Sequence, residues 1–203
     1  MSSKTLVKIC GLSREEDIDA VNELLPDYIG FVFWPKSKRY VDYAKAKELK
    51  DKLDKRIKAV GVFLDEDIDK VAELVHKGII DIVQLHGAED EEYIRKLKEK
   101  NGCEIIKAFN VNKLATLKDA ESSSADHIML DSGAGTGIPF DWSRLNEVKR
   151  PYFLAGGLSP DNINEVLSKI QPFAVDVSSG VETDRYKDKN KIISFMKVCR
   201  NEN

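Results

Sequence analysis

Three side chains in this chain have the types and positions that acid, base and binding chemistry need. Cys10 closes the apolar run that begins at Leu6, Asp131 closes the run His127 to Leu130, and Arg39 lies in the loop FVFWPKSKRYV, residues 31–41. A cysteine placed between a strand end and a helix start at Ser13 is expected to have a stabilised thiolate, making it a base or nucleophile. A carboxyl group aimed from a strand end into a cavity is expected to titrate high and to serve as a general acid. A guanidinium beside Phe33, Trp34 and Tyr40 suits bidentate capture of a carboxylate on a planar ligand. The plainer alternatives are a small buried hydrophobe for Cys10, a turn or cap aspartate for Asp131, and a solvated arginine among Lys36 and Lys38. Cys103 and Cys199 carry only the first of these readings.

A second group of residues points to an anion. Gly156 and Gly157 lie between an apolar run and the helix signal Ser159-Pro160, where backbone N–H groups can approach a phosphate closely. Ser178, Ser179 and Gly180 supply hydroxyls and another glycine after the next run. His86, in QLHG, is a further ligand-binding candidate, with a satisfied strand-end histidine as its alternative. Asp176 fits either a position near the phosphate or the filling of a barrel interior.

These residues need a scaffold that brings distant strand ends together. β-rich apolar runs occur at residues 5–10, 28–33, 58–64, 79–85, 104–109, 126–130, 152–155 and 174–178, and a helical pattern follows each. The helical spacing is clearest in Ile68, Val71, Ala72, Val75; in Ile163, Val166, Leu167, Ile170; and in Ile192, Phe195, Met196, Cys199. It is weaker after the second, fifth and sixth runs. Ser13 with Glu16, Ser159 before Pro160, Asp65 and Asp141 mark expected helix starts. Alternation of this kind gives parallel strands, and eight apolar runs with no polar edge favour closure over an open sheet. The expected fold is a single (βα)8 TIM barrel spanning residues 1–203 as one domain, with chemistry at the C-terminal strand ends, where six of the eight carry polar or glycine residues.

Composition narrows the partners. The 203 residues include 32 Lys plus Arg against 35 Asp plus Glu, a formal charge of −3, so a nucleic-acid binder held by phosphate contacts is not expected. No apolar stretch nears the roughly 18 residues of a membrane span. Three cysteines without CxxC spacing suggest neither a disulfide framework nor a zinc site, and with no secretory pattern near Lys4 and Lys8 the expected location is cytoplasmic. A small phosphorylated molecule is the expected partner. Monomer and homodimer both remain open.

The ordered motifs VKICG (7–11), FVFWPKSKRYV (31–41), VGVFLD (60–65), VQLHGAED (83–90), MLDSGAGTG with FDW (129–142), FLAGGLSPDNI (153–163) and VDVSSGVET (175–183) resemble the phosphoribosylanthranilate isomerase family of tryptophan biosynthesis. The resemblance covers nearly the whole chain. It implies a (βα)8 barrel that rearranges N-(5-phosphoribosyl)anthranilate to the carboxyphenylamino-deoxyribulose phosphate, with no cofactor and no metal. It also implies Cys10 as general base, Asp131 as general acid and Arg39 as the partner of the anthranilate carboxylate. Lys38 stands where the family usually has proline, and Ala134-Gly135-Thr136-Gly137 replaces its GGTG. Asp184-Arg185-Tyr186 precedes Lys187-Asp188, where the family usually makes a proline-glycine turn. Two other functions fit the same loops: a sugar-phosphate epimerase, for which three histidines offer few metal ligands, and a non-catalytic phosphometabolite-binding barrel, which would need neither Cys10 nor Asp131.

Overall fold

The computed structural model describes residues 5–133 and 142–200. Eight parallel strands form a closed barrel: β1 (Leu6–Cys10), β2 (Tyr28–Val32), β3 (Lys58–Phe63), β4 (Ile82–Leu85), β5 (Glu104–Asn110), β6 (His127–Asp131), β7 (Tyr152–Ala155) and β8 (Ala174–Val177). Pairing of β1 with β8, from Leu6 opposite Ala174 to Ile9 opposite Val177, completes the circuit. The helices between them are α1 (Glu15–Leu24), α2 (Tyr43–Lys52), α3 (Ile68–His76), α4 (Glu91–Asn101), α5 (Leu117–Glu121) and α6 (Ile163–Lys169), with α7 (Lys189–Cys199) after β8. The closed (βα)8 barrel expected from the alternation is the fold found.

Side chains alternate across each strand, and this places the chemistry. On β1, Val7 and Ile9 pack outward with the apolar layer beneath the helices, leaving Leu6, Lys8 and Cys10 on the barrel side. The interior is filled by Val60, Ile82, Ile106, Met129 and Phe153, and it ends below in an aromatic floor. There Phe153 meets Tyr28 edge-on at 5.4 Å between centroids, while His127 stacks on Phe173 at 5.5 Å. The floor closes the end away from the C-terminal strand ends.

Several expected boundaries shift. The pattern after run six yields a 3₁₀ segment, Trp142–Glu147, in the described residues, and α5 has only five residues. At α1 the box is made by Asp17, whose carboxylate accepts from the N–H groups of Ser13 and Arg14 at 3.0 and 3.1 Å, so the expected Ser13–Glu16 box is corrected. Asp65 does not cap α3; it has a positive φ of 51° and accepts from Ala88 N–H, while Asp67 caps the helix. Ser159 N–H donates to Asn162, and regular helix starts at Ile163, after a turn containing Pro160. Asp141 and the Ala134–Gly137 segment lie outside the described residues. Among the described residues no helix is long and apolar enough to cross a membrane.

After β8 the chain forms a hairpin, β9 (Glu182–Thr183) and β10 (Tyr186–Lys187). Its two turn residues, Asp184 and Arg185, have φ of 51° and 72°. A two-residue hairpin turn asks for this left-handed backbone, which here is adopted without glycine.

Candidate active site

The C-terminal strand ends surround a cavity of about 380 Å³. Cys10, Arg39, His86, Asp131, Gly156, Gly157 and Ser179 all line it, so seven of the eight site residues expected from sequence meet in one place. Gly180 does not line this cavity. It lies against the Leu158 backbone, and a Cβ on it would strike the Leu158 carbonyl oxygen, so it sets the spacing between the loops after β7 and β8.

Cys10 lies at the end of β1, over a charged layer that apolar patterning does not disclose. Lys8, two residues earlier and fully buried, donates to Asp176 on β8 at 2.9 Å. Gly30 on β2 opens the space where sulfur and ammonium come together: a Cβ there would sit 2.7 Å from Cys10 Sγ and 3.1 Å from Lys8 Nζ. Burial pushes the Cys10 thiol up; the Lys8 charge opposes this, Asp176 adds to it, and the net direction is upward. The expectation of a stabilised resting thiolate is therefore corrected. Helix α1 begins only at Glu15, leaving desolvation as the larger influence.

Asp131 shows the opposite departure. Burial pushes its carboxyl up, but hydrogen bonds from His86 and from the Gly133 N–H, the latter at 2.7 Å, hold it below the usual carboxylate value. The expected high-titrating acid is corrected on this account. His86 Nε2 lies 3.4 Å from Asp131 Oδ2, and His86 Nδ1 meets the Gln84 side-chain amide nitrogen at 3.1 Å. With the Gln84 amide donating to Nδ1, the imidazole keeps its hydrogen on Nε2 and directs it at Asp131. Gly156 completes this side. Its φ is 96°, and a Cβ on it would come 2.6 Å from Asp131 Oδ1, so only glycine lets the loop after β7 lie against the carboxylate.

Arg39 reaches the cavity wall but is already paired. Its Nε and Nη2 donate to the two oxygens of Glu182 at 2.6 and 2.7 Å. Lys187 donates to the same carboxylate at 2.6 Å and to Ser178 O at 3.1 Å. Sequence reasoning missed Lys8, Gln84, Glu182 and Lys187 as site residues. Period-two alternation could have flagged Lys8 and Gln84, each inward on an otherwise apolar strand; no local signal links residue 182 to residue 39.

One buried thiol, one ionised carboxylate bonded to an imidazole, a guanidinium and two glycine-serine loops around one cavity suit acid-base rearrangement of a phosphorylated substrate. Comparison with known proteins agrees with this geometry. The family profile of N-(5′-phosphoribosyl)anthranilate isomerase matches residues 7–198. The N-(5′-phosphoribosyl)anthranilate isomerase of Clostridium acetobutylicum is 48% identical over 203 residues, covering 96% of this chain and 97% of its own. A crystal structure of phosphoribosyl anthranilate isomerase in complex with reduced 1-(o-carboxyphenylamino)-1-deoxyribulose 5-phosphate superposes with a TM-score of 0.83 at 35% identity, covering 97% of this chain and 99% of that one. Monomers generated from the dimeric Thermotoga maritima enzyme give 0.82 at 35% identity, with the same coverage. With the barrel, the cavity and the matched sequence in agreement over nearly its whole length, the chain belongs to the N-(5′-phosphoribosyl)anthranilate isomerase family.

Proposed function

We propose that this chain converts N-(5-phosphoribosyl)anthranilate to 1-(2-carboxyphenylamino)-1-deoxyribulose 5-phosphate in tryptophan biosynthesis, with Cys10 as general base and Asp131 as general acid. The observation that carries the reading is the convergence of these two groups, from strands β1 and β6, on the one cavity that Arg39 and the glycine-serine loops also line. Gly156, Gly157, Ser179 and the backbone spaced by Gly180 receive the phosphate, and Arg39 receives the anthranilate carboxylate. Two anionic anchors then fix the ribose between acid and base.

The proton inventory follows from the site. At rest the sulfur holds its proton and Asp131 is ionised, so a proton moves from Cys10 to the Asp131–His86 pair before turnover. His86, partly open to solvent, is the port for that transfer. Asp131 then protonates the ribose ring oxygen, and the C1′–O bond breaks to give an iminium. The Cys10 thiolate removes the C2′ proton, the electron pair forms an enolamine, and tautomerisation gives the ketone. Each turnover leaves the thiol protonated and the carboxylate ionised, the state in which it began.

The reaction needs only this chain's own residues within one catalytic domain, as a monomer or a homodimer. Three free buried cysteines suit a reducing cytoplasm. A fluorescence assay following loss of the substrate tests the reading. Cys10→Ser and Asp131→Asn are each expected to lose at least about 10²-fold in kcat, the low end for a general acid or base. Near-wild-type turnover by both variants would sink the roles assigned to them.

A further inference from the structure

The pairing of Arg39 with Glu182 poses a problem for a residue meant to hold a substrate carboxylate. The details of the contact resolve it. Glu182 occupies the Nε–Nη2 edge of the guanidinium, leaving the Nη1–Nη2 edge as a second two-pronged donor. The charges of Arg39, Lys187 and Glu182 sum to one positive charge, enough for one carboxylate.

The surroundings hold this arrangement from three sides. Glu182 and Lys187 face each other in the register of the β9–β10 hairpin, and their side chains are 9% and 1% exposed. Lys187 is tied in turn to the strand-eight loop through Ser178 O. The aliphatic stem of Arg39 lies over Gly11, where a Cβ would strike its Cδ. Both hydrogen bonds from Arg39 and that from Lys187 hold the Glu182 carboxylate below its usual range, against the upward push of burial, so the bracket stays charged.

We propose that Glu182 is a positioning residue that grips Arg39 side-on, so that its remaining edge selects ligands carrying a carboxylate on the aromatic ring. The hairpin after β8 thereby sets specificity at the aryl end of the substrate, while the phosphate is held elsewhere. This inference rests on the isomerase reading and on Arg39 as the carboxylate partner.

Calorimetry with two ligands separates the possibilities: reduced 1-(o-carboxyphenylamino)-1-deoxyribulose 5-phosphate and its analogue lacking the ring carboxylate. Glu182→Gln is expected to weaken the first by about tenfold or more, the scale of a charge-assisted hydrogen-bond pair, and to leave the second unchanged. Because this change strands the Lys187 ammonium, the double variant Glu182→Gln, Lys187→Met is measured beside it with the same expectation. Glu182→Asp, which keeps the charge at shorter reach, should recover part of the loss. Equal weakening of both ligands, or no weakening of either, overturns the positioning role. A wild type that turns substrate over yet binds the two ligands alike overturns the Arg39 assignment while leaving the acid and base roles intact. A wild type that neither turns over nor binds sinks the isomerase reading itself.

Discussion

Lys8 and Asp176, on neighbouring strands β1 and β8, form a 2.9 Å ion pair inside the barrel, with the Lys8 side chain wholly excluded from water. Such a pair rarely adds net stability over an apolar replacement, because the desolvation of both charges offsets their attraction. Its placement beneath Cys10 gives it another use: the ammonium is the strongest of the charges that pull the thiol back toward ionisation. Lys8 is thus a fixed electrostatic support for a thiolate at Cys10.

Removing that support should move the enzyme's pH dependence. Lys8→Met alone leaves Asp176 charged and unpaired, and is expected to cost about 3–5 kcal/mol of stability. Lys8→Met with Asp176→Asn removes both charges and should recover most of that loss. Since Lys8 outweighs Asp176 at Cys10, the double variant's thiol should titrate higher than the wild type's. Rate–pH profiles and ultraviolet thiolate absorbance would then both shift to the alkaline side. Wild-type profiles from the folded double variant would count against Lys8 as the tuning charge.

Stability in acid should report the His86–Asp131 contact. The Asp131 carboxyl titrates below its unfolded value, so its contribution is present above the unfolded pKa of about 3.9 and is lost as pH falls through the lower folded value. His86→Asn withdraws one of the hydrogen bonds responsible, leaving burial to push the carboxyl upward. The loss of melting temperature as pH falls from about 6 to 3 should therefore be smaller in the variant than in the wild type, because the folded state no longer favours the ionised carboxyl as strongly. Superimposable acid limbs would mean that His86 does not hold the carboxylate.

The hairpin turn offers a gain of stability. Arg185 is exposed and holds φ at 72°, where an ordinary L-residue costs about 1–2 kcal/mol relative to glycine. Arg185→Gly should raise unfolding free energy by roughly 1 kcal/mol, the strain relieved exceeding the added freedom of the unfolded chain. Thermal melts would check this, and a fall in melting temperature would argue that the left-handed turn is not strained.

The barrel was legible because strands buried on both faces become continuous apolar runs, and closure follows from having no polar edge. Cys10 and Asp131 were legible as strand-end residues. Their proton affinities were not, because these depend on groups brought together only by folding: Lys8 and Asp176 across the β1–β8 seam, and His86 two strands from Asp131. The Arg39–Glu182 bracket spans 143 positions, beyond any periodicity. Asp65 failed as a cap because its carboxylate serves Ala88 in the next loop, leaving Asp67 to begin α3.

The protonated, enclosed state of Cys10 has a consequence for the protein's chemical lifetime. Oxidation of cysteine to sulfenic acid and beyond proceeds through exposed thiolate, and the higher acids are not reversed. A thiol that burial holds protonated presents little of that species to peroxide. The same burial that makes Cys10 a reluctant anion therefore spares it damage while the enzyme waits for substrate.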